Sequence, residues 1–413
     1  MHYRPIPEAH DDRVHRLLTY AFRPEAGPDP DDEDHPRPDI YHRRGLYDVD
    51  PDTSDDDLAP DDLRVMCAYY DFTARIRGEF HRVGGVSAVA SPPESRRQGY
   101  IGDLLGHLHR EFREEGIAFS VLWPFEYEFY QRFGYAMTNQ STETRLPPEQ
   151  LATVVPDPAG SFHRLAADDW AAVDDVHREW ATETLSLDRT EGWWRTRTFR
   201  GWRQDPYAYG WEDESGELHG DVFYTVDEDG DDKRMTVHEL AAVDEAARGQ
   251  LLRFCRDHDS QVDAGQFHGH RDVPTLLDVL PDPRAAEVRI KPGPMVRIVD
   301  LEAAVDALSL DVTGVDGAET LTLAVADDQY AWNDGLFELS VDGDGVSCRR
   351  HDGGAKEEVD VTVGIGALSQ LVVGSRPVAD LERTGDVTIE TDAARDSLDA
   401  VFPSERVFLR EGF

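Results

Sequence analysis

Val86-Ser87-Ala88-Val89-Ala90-Ser91-Pro92-Pro93-Glu94-Ser95-Arg96-Arg97-Gln98-Gly99-Tyr100-Ile101 is the stretch on which the reading of this chain turns. A strand runs into a short loop with two arginines and a glycine, and a helical pattern starts at once. The N-terminus of a helix presents unpaired N–H groups and the positive end of a dipole, so such a turn suits a pyrophosphate. Gly99 lets the backbone approach a ligand closely, while Arg96 and Arg97 add charge. Alone, R-x-x-G also describes an ordinary strand-to-helix turn with surface arginines.

Working outward, residues 96–115 read as that helix and Ala118–Trp123 as a further strand, so a βαβ unit with a parallel pair is expected across 84–123. Upstream, Leu63–Tyr70, Thr73–Phe80 and Gly84–Ala90 read as three strands, and residues 7–22 as a helix. Between them, Glu25–Asp62 is dominated by Asp, Pro, Arg and Gly and reads as a long solvated segment. Downstream comes Leu122-Trp123-Pro124-Phe125-Glu126-Tyr127-Glu128-Phe129-Tyr130-Gln131-Arg132-Phe133-Gly134-Tyr135: a strand, a short helix, then Tyr-x-Arg-Phe-Gly-Tyr.

With both stretches in place the chain resembles the Eis-type (enhanced intracellular survival) members of the GCN5-related N-acetyltransferases, the GNAT family. The resemblance covers nearly the whole chain by layout. It implies an α/β (α+β) chain of two tandem GNAT-like domains and a sterol-carrier-protein-like α+β domain. The expected boundaries are 1–147 (catalytic, binding acetyl-CoA), 148–294 (a second GNAT-like copy) and 295–413, whose C-terminus reaches the active site. The first boundary follows the break at Leu146-Pro147-Pro148. In the second segment, helix Trp170–Trp180 and strand Met235–Val243 echo the first, but Asp244-Glu245-Ala246-Ala247-Arg248-Gly249 lacks the glycine spacing of a pyrophosphate loop. The third segment has a strand through Thr320–Val325 and a short helix over Ile365–Val373.

Residue by residue, the resemblance implies that Val89, Ala90 and Ser91 hold the pantetheine arm and polarise the thioester. Arg97, Gln98, Gly99, Tyr100, Ile101 and Gly102 match the pyrophosphate loop, and Phe125 and Glu126 a further cofactor contact. Tyr130 falls on the general acid and Phe413 on the position whose terminal carboxylate is the general base. The chain departs from the family at Ile101, and at Phe125, where a serine is usual. The implied co-substrate is acetyl-CoA, the implied acceptor a primary amine, and the implied assembly a homo-hexamer. Read without the family, Tyr130 is core packing beside Phe129 and Phe133.

Composition narrows the rest. With 84 acidic residues against 42 basic, the formal net charge is −42, and only Lys233, Lys291 and Lys356 are lysines. The acid is spread among periodic apolar residues along the chain, which reads as adaptation to molar salt, where the Debye length falls to about 3 Å. Such a surface argues against nucleic-acid binding, which needs a basic face. No apolar run approaches the roughly 20 residues of a membrane span, and no secretory signal is visible at the N-terminus, so a cytoplasmic location is expected. Cys67, Cys255 and Cys348 are widely spaced and read as buried small hydrophobes, not a disulfide or zinc framework. His268-Gly269-His270 has no third ligand, so no metal is expected. His107 and His109 are expected to be solvated, and Trp193-Trp194 to form a docking patch. The alternative function is an acyl-CoA or lipid-binding sensor or carrier without turnover. It would need a large apolar cavity in residues 295–413, which instead alternate apolar and acidic residues.

Overall fold

The computed structural model describes residues 1–27, 36–201, 204–270, 276–310, 319–342, 345–351 and 358–413. In chain order the strands are β1 (His2–Pro5), β2 (Tyr41–Tyr47), β3 (Leu63–Ile76), β4 (Glu79–Ala90), β5 (Phe119–Leu122), β6 (Ala136–Met137), β7 (Gln140–Leu146), β8 (Ser161–Arg164), β9 (Tyr207–Glu212), β10 (Leu218–Asp229), β11 (Asp232–Ala242), β12 (Ala264–His270), β13 (Glu287–Pro292) and β14 (Met295–Ile298). β15 (Glu319–Ala326), β16 (Gly335–Asp342), β17 (Gly345–Arg350), β18 (Val361–Gly364) and β19 (Val387–Ile389) complete the set. The helices that shape the site are α1 (Asp11–Phe22), α2 (Tyr100–Glu114) and α3 (Tyr127–Gln131).

The backbone divides into two compact units, one of Met1–His35, Asp39–Thr138 and Pro294–Phe413, the other of Pro36–Pro38 and Asn139–Gly293. The first unit holds a sheet in the order β1-β2-β3-β4-β5-β14-β6 and a five-stranded sheet in the order β17-β16-β15-β18-β19. The second unit's sheet runs β8-β9-β10-β11-β12-β7-β13. The two seven-stranded sheets share one plan. Each has a single parallel pair, β4 with β5 and β11 with β12, and antiparallel neighbours elsewhere. The chain leaves the first sheet after β6, supplies β7–β13 to the second, and returns with β14 between β5 and β6. The Pro147-Pro148 break therefore falls after β7, whose seven residues pair in the second sheet.

Period-two alternation decides how the first sheet is covered. Val65, Cys67 and Tyr69 of β3 pack with Val86 against Leu104, Leu105, Leu108 and Phe112 of α2. Met66 shares the other core with Ala90, Tyr47 and the α1 residues Val14 and Leu17, and Leu63 joins it beyond the register shift opposite Leu46 and Tyr47. The expected three strands are two. Asp71 pairs across the ladder with Gly84 and meets Arg82 at 2.8 Å, so β3 continues to a turn at Arg77-Gly78. Both turn residues have positive φ, 50° and 87°, as a tight hairpin requires. The expected solvated segment 25–62 also needs correction: it contains β2, paired to β1 and β3, with Gly45, Leu46 and Tyr47 buried. Its part at 28–35 lies outside the described residues.

The expected helix 96–115 begins at Tyr100, after a short helical turn over Pro93–Ser95, and helix 7–22 begins at Asp11. In the third segment, helix Ile365–Val373 meets β14 through Ser369, whose hydroxyl accepts from the Ile298 amide at 2.8 Å. In the second unit, Trp193 and Trp194 are both buried, as a helix docking patch requires. Trp194 is fully buried among Leu165, Val173, Ala208 and Phe223, and its indole N–H donates to Asp174 at 2.8 Å. All three cysteines are buried and free. The side chain of His270 lies outside the described residues, and no helix is long and apolar enough to cross a membrane among those searched.

Candidate active site

The site grows from a mismatch in strand length. β4 and β5 run parallel from Val83 beside Phe119 to Val86 beside Leu122, where β5 ends. Among the described residues, β4 continues to Ala90 held by β3 alone. The backbone groups of Ser87–Ala90 that would face β5 therefore have no strand to pair with, and backbone donors left in this way are available to a ligand. A bulge sharpens the break: three steps on β4, Ser87 to Ala90, match two on β3, Ala68 to Met66. Ala88 lies inside it at φ 51°. Such a conformation costs a non-glycine residue about 1 kcal/mol or more and re-aims the strand beyond it. Val89, Ala90 and Ser91 occupy that re-aimed end.

The loop to α2 delivers a second set of donors. Gly99 caps the helix at φ 86°, with open space where a side chain would stand and no side-chain cap. The first-turn amides of Tyr100, Ile101 and Gly102 thus have no intrahelical acceptor. Arg97, Gln98 and Gly99 are exposed around this turn. Arg96 is directed elsewhere, its guanidinium lying 5.1 Å over the Tyr20 ring. The corresponding helix of the second unit, Glu245–Arg256, is closed: the Asp244 carboxylate accepts from the Ala247 amide at 2.7 Å. A carboxylate on the amides excludes a phosphate there, in keeping with the missing glycine spacing.

Past β5 the chain turns through Trp123-Pro124-Phe125-Glu126 into α3. Phe125 is 71% exposed, and its ring meets Tyr130 at 5.6 Å and Phe129 at 5.3 Å. Glu126, also exposed, occupies the N-cap of α3. Tyr130 is buried against the α2 core, and its hydroxyl has no hydrogen-bond partner among the described residues. Burial pushes its phenol above the ordinary tyrosine value, with Cys67 adding to the effect, so Tyr130 keeps its proton at neutral pH.

Phe413 arrives on the other face of the sheet. Its ring meets Phe72 at 4.9 Å and Tyr70 at 5.8 Å, and a Cβ on Gly85 would come within 3.2 Å of it. Phe125 and Tyr130 are thus in ring contact. Tyr130 and Phe413 flank the β4–β5 opening from opposite faces, with no hydrogen bond or ring contact between them among the described residues.

Behind Tyr130 runs a buried polar chain. His109 is fully buried, not solvated as expected, and its ring bonds the Tyr330 hydroxyl and the Tyr135 hydroxyl at 2.7 Å each. Tyr135 also bonds Ser120 at 2.7 Å, and Ser120 donates to the Gly84 carbonyl at 3.0 Å. Desolvation, aided by Arg297, drives the His109 pKa well below its ordinary value, so the ring is neutral. With Ser120 donating to Gly84, Tyr135 donates to Ser120 and His109 Nε2–H to Tyr135. His107 is half-buried and stacks on Tyr3 at 5.3 Å. Arg297, wholly buried on β14, pairs with Asp327 and donates to the Phe133 carbonyl. None of these partners was legible in advance, because each joins residues far apart in sequence.

Comparison with known proteins bears directly on this arrangement. Residues 2–138 match the Acetyltransferase (GNAT) domain family, residues 185–298 a second Acetyltransferase (GNAT) domain family, and residues 301–410 the Sterol carrier protein domain family. The chain is an acetyltransferase that carries two GNAT domains. The expected order of two GNAT domains and a sterol-carrier-like domain is borne out. The acetyltransferase is 26% identical over 358 residues to N-acetyltransferase Eis of Mycobacterium tuberculosis, covering 82% of this chain and 83% of the relative. It is 24% identical over 318 residues to an uncharacterized N-acetyltransferase of Streptomyces avermitilis, covering 73% and 75%. Its fold matches that of a probable N-acyltransferase from Enterococcus faecalis (TM-score 0.82, 20% identity, 98% of each chain). It also matches Eis1 from Mycobacterium abscessus (TM-score 0.75, 21% identity, 100% of each chain). GNAT acetyltransferases use acetyl-CoA, and this chain is an acetyl-CoA-dependent member.

Proposed function

We propose that the acetyltransferase transfers the acetyl group of acetyl-CoA to a primary amine by direct attack in the first unit. The observation that carries this reading is the pairing of two unsatisfied backbone sets, the free edge of β4 after Val86 and the uncapped first turn of α2. Val89, Ala90 and Ser91 take the pantetheine arm and thioester. Arg97, Gln98, Gly99, Tyr100, Ile101 and Gly102 take the pyrophosphate, whose charge the helix N-terminus favours. Phe125 and Glu126 flank the same ligand.

In the reaction, the amine nitrogen bonds to the thioester carbonyl carbon, and amides at the β4 edge stabilise the oxyanion. The C–S bond then breaks and the sulfur takes the Tyr130 proton, while the proton released by nitrogen passes to the Phe413 carboxylate. Tyr130 holds at neutral pH the proton that the acid role requires. No metal takes part in this scheme. The net charge of −42 supports adaptation to molar salt, and we assign the enzyme to the cytoplasm as a homo-hexamer.

The test is calorimetric titration of acetyl-CoA in molar KCl, followed by turnover with a panel of primary amines. Gly99→Asp, which puts a carboxylate over the amides as Asp244 does in the second unit, should abolish binding. Unchanged affinity in that variant would rule out the α2 N-terminus as the cofactor site.

A further inference from the structure

The C-terminal tail is held in place along its length, and one of its contacts belongs to the mouth of the site. After Phe402 the chain runs extended, with Val407, Leu409 and Glu411 buried and Gly412 exposed. This alternation carries Phe413 onto the inward side. At its start, Glu405 donates its amide to the Gly374 carbonyl at 2.8 Å and lies 3.6 Å from Arg77. Arg77, in the β3–β4 turn, also donates to the carbonyls of Val372 at 2.6 Å and Leu371 at 3.1 Å. At its end, the indole N–H of Trp123 donates to the Glu411 carbonyl at 2.7 Å. Trp123 is the first residue after β5, at the point where β4 and β5 part company. Two residues beyond that bond, the Phe413 ring rests on Phe72, Tyr70 and Gly85.

We infer that Trp123 is a positioning residue for the acetyl transfer: its indole N–H fixes the last residues of the tail and so sets where the Phe413 carboxylate stands. The inference rests on the role proposed above for Phe413. The contact at Glu405 locates the tail on the third segment, but Phe413 lies eight positions further on, too far for that contact to fix the terminus. Trp123 bonds a main-chain carbonyl, so it acts on the path of the tail whatever side chains the tail carries. Its place also ties the tail to the strand end beside which the thioester is to lie. Misplacing a reacting group by about 1 Å can cost two orders of magnitude in rate.

The experiment is a cycle of four full-length proteins: the parent, Trp123→Phe, the chain lacking Phe413, and the two changes combined. Each is measured for kcat across pH, KM for acetyl-CoA, and hydrogen exchange of residues 405–413. Trp123→Phe keeps the ring and loses only the donor. It should lower kcat about tenfold or more, change its pH profile, leave KM for acetyl-CoA within about twofold and speed exchange in the tail alone. In the chain lacking Phe413 the same substitution should have no further effect on kcat. Parental kcat and pH profile in Trp123→Phe, with activity lost on removing Phe413, would overturn the inference and leave the Phe413 role standing. Full activity without Phe413 would overturn both. Should Trp123→Phe lose its fold, Trp123→Tyr takes its place in the cycle, and unchanged exchange of the tail there would equally overturn the inference.

Discussion

Replacing Gly134 by alanine tests why the Arg132-Phe133-Gly134-Tyr135 motif has a glycine at its centre. Gly134 has φ 76°, a conformation that costs an alanine roughly 1–2 kcal/mol. A Cβ there would also overlap the guanidinium of Arg297, with Ile365 close beside it. Arg297 cannot withdraw without cost. Its side chain and that of Asp327 are 0% and 1% exposed, and the same guanidinium donates to the Phe133 carbonyl and lies 4.6 Å over the Tyr330 ring. Breaking a buried pair of this kind costs about 3–5 kcal/mol. Gly134→Ala should therefore destabilise the first unit by roughly 4 kcal/mol or more. Gly78 is the internal control. It has φ 87° in the β3–β4 turn with nothing within 4 Å of a Cβ, so Gly78→Ala carries only the backbone term of roughly 1–2 kcal/mol. Urea unfolding in molar KCl, read by fluorescence, should place the Gly134→Ala midpoint far below that of Gly78→Ala. Equal midpoints would show that Arg297 yields freely and would refute the account of the motif.

Other expectations concern buried titratable groups. In the second unit Asp221 is fully buried with neither carboxylate oxygen partnered, beside the bidentate Arg189–Glu239 pair at 2.9 and 2.6 Å. Burial, with Glu239 adding and Arg189 opposing, raises its pKa well above the ordinary value. Because the folded chain holds this proton more tightly, the contribution to stability is present below the unfolded value near 4 and is lost as pH rises through the folded value. Asp221→Asn should thus be the more stable protein at pH 8, by roughly 1–3 kcal/mol, with the gap closing toward pH 4. Melting temperatures that differ equally at both pH values would contradict this. Burial pushes the Cys255 and Cys348 thiols up to about 12, and Cys67 higher still. A thiol reagent should find none of the three in the native protein at pH 8 and all of them in denaturant, whereas rapid labelling of the native state would place them at the surface.

What was legible in the sequence had a local cause. The strand-loop-helix turn at 86–102 shows itself in glycine and arginine spacing, and helices Trp170–Trp180 and Ile365–Val373 in their apolar periodicity. Strand β2 was hidden because Tyr41–Tyr47 carries His42, Arg43 and Arg44 and sits inside an acidic, proline-rich segment. Its pairing to two neighbours, not its composition, makes it a strand. The gap expected between Tyr70 and Thr73 likewise closes because Asp71 pairs across the ladder with Gly84 and meets Arg82. His109 looked solvated because its burial depends on Tyr330, more than two hundred residues away. Trp123 stood in plain view in the second motif, but its partner is a backbone carbonyl of the tail, which no side-chain pattern announces.

The most direct test of the central claim is the turnover of Tyr130→Phe. In the parent and the variant, release of CoA thiol from acetyl-CoA is followed with the best acceptor amine in molar KCl. The substitution removes one oxygen from a buried ring that makes no other polar contact among the described residues, so folding and acetyl-CoA binding should survive. Loss of a positioned general acid predicts that kcat falls by roughly two to four orders of magnitude while KM for acetyl-CoA stays within about threefold. A kcat within about threefold of the parent would remove Tyr130 from the chemistry and contradict the mechanism.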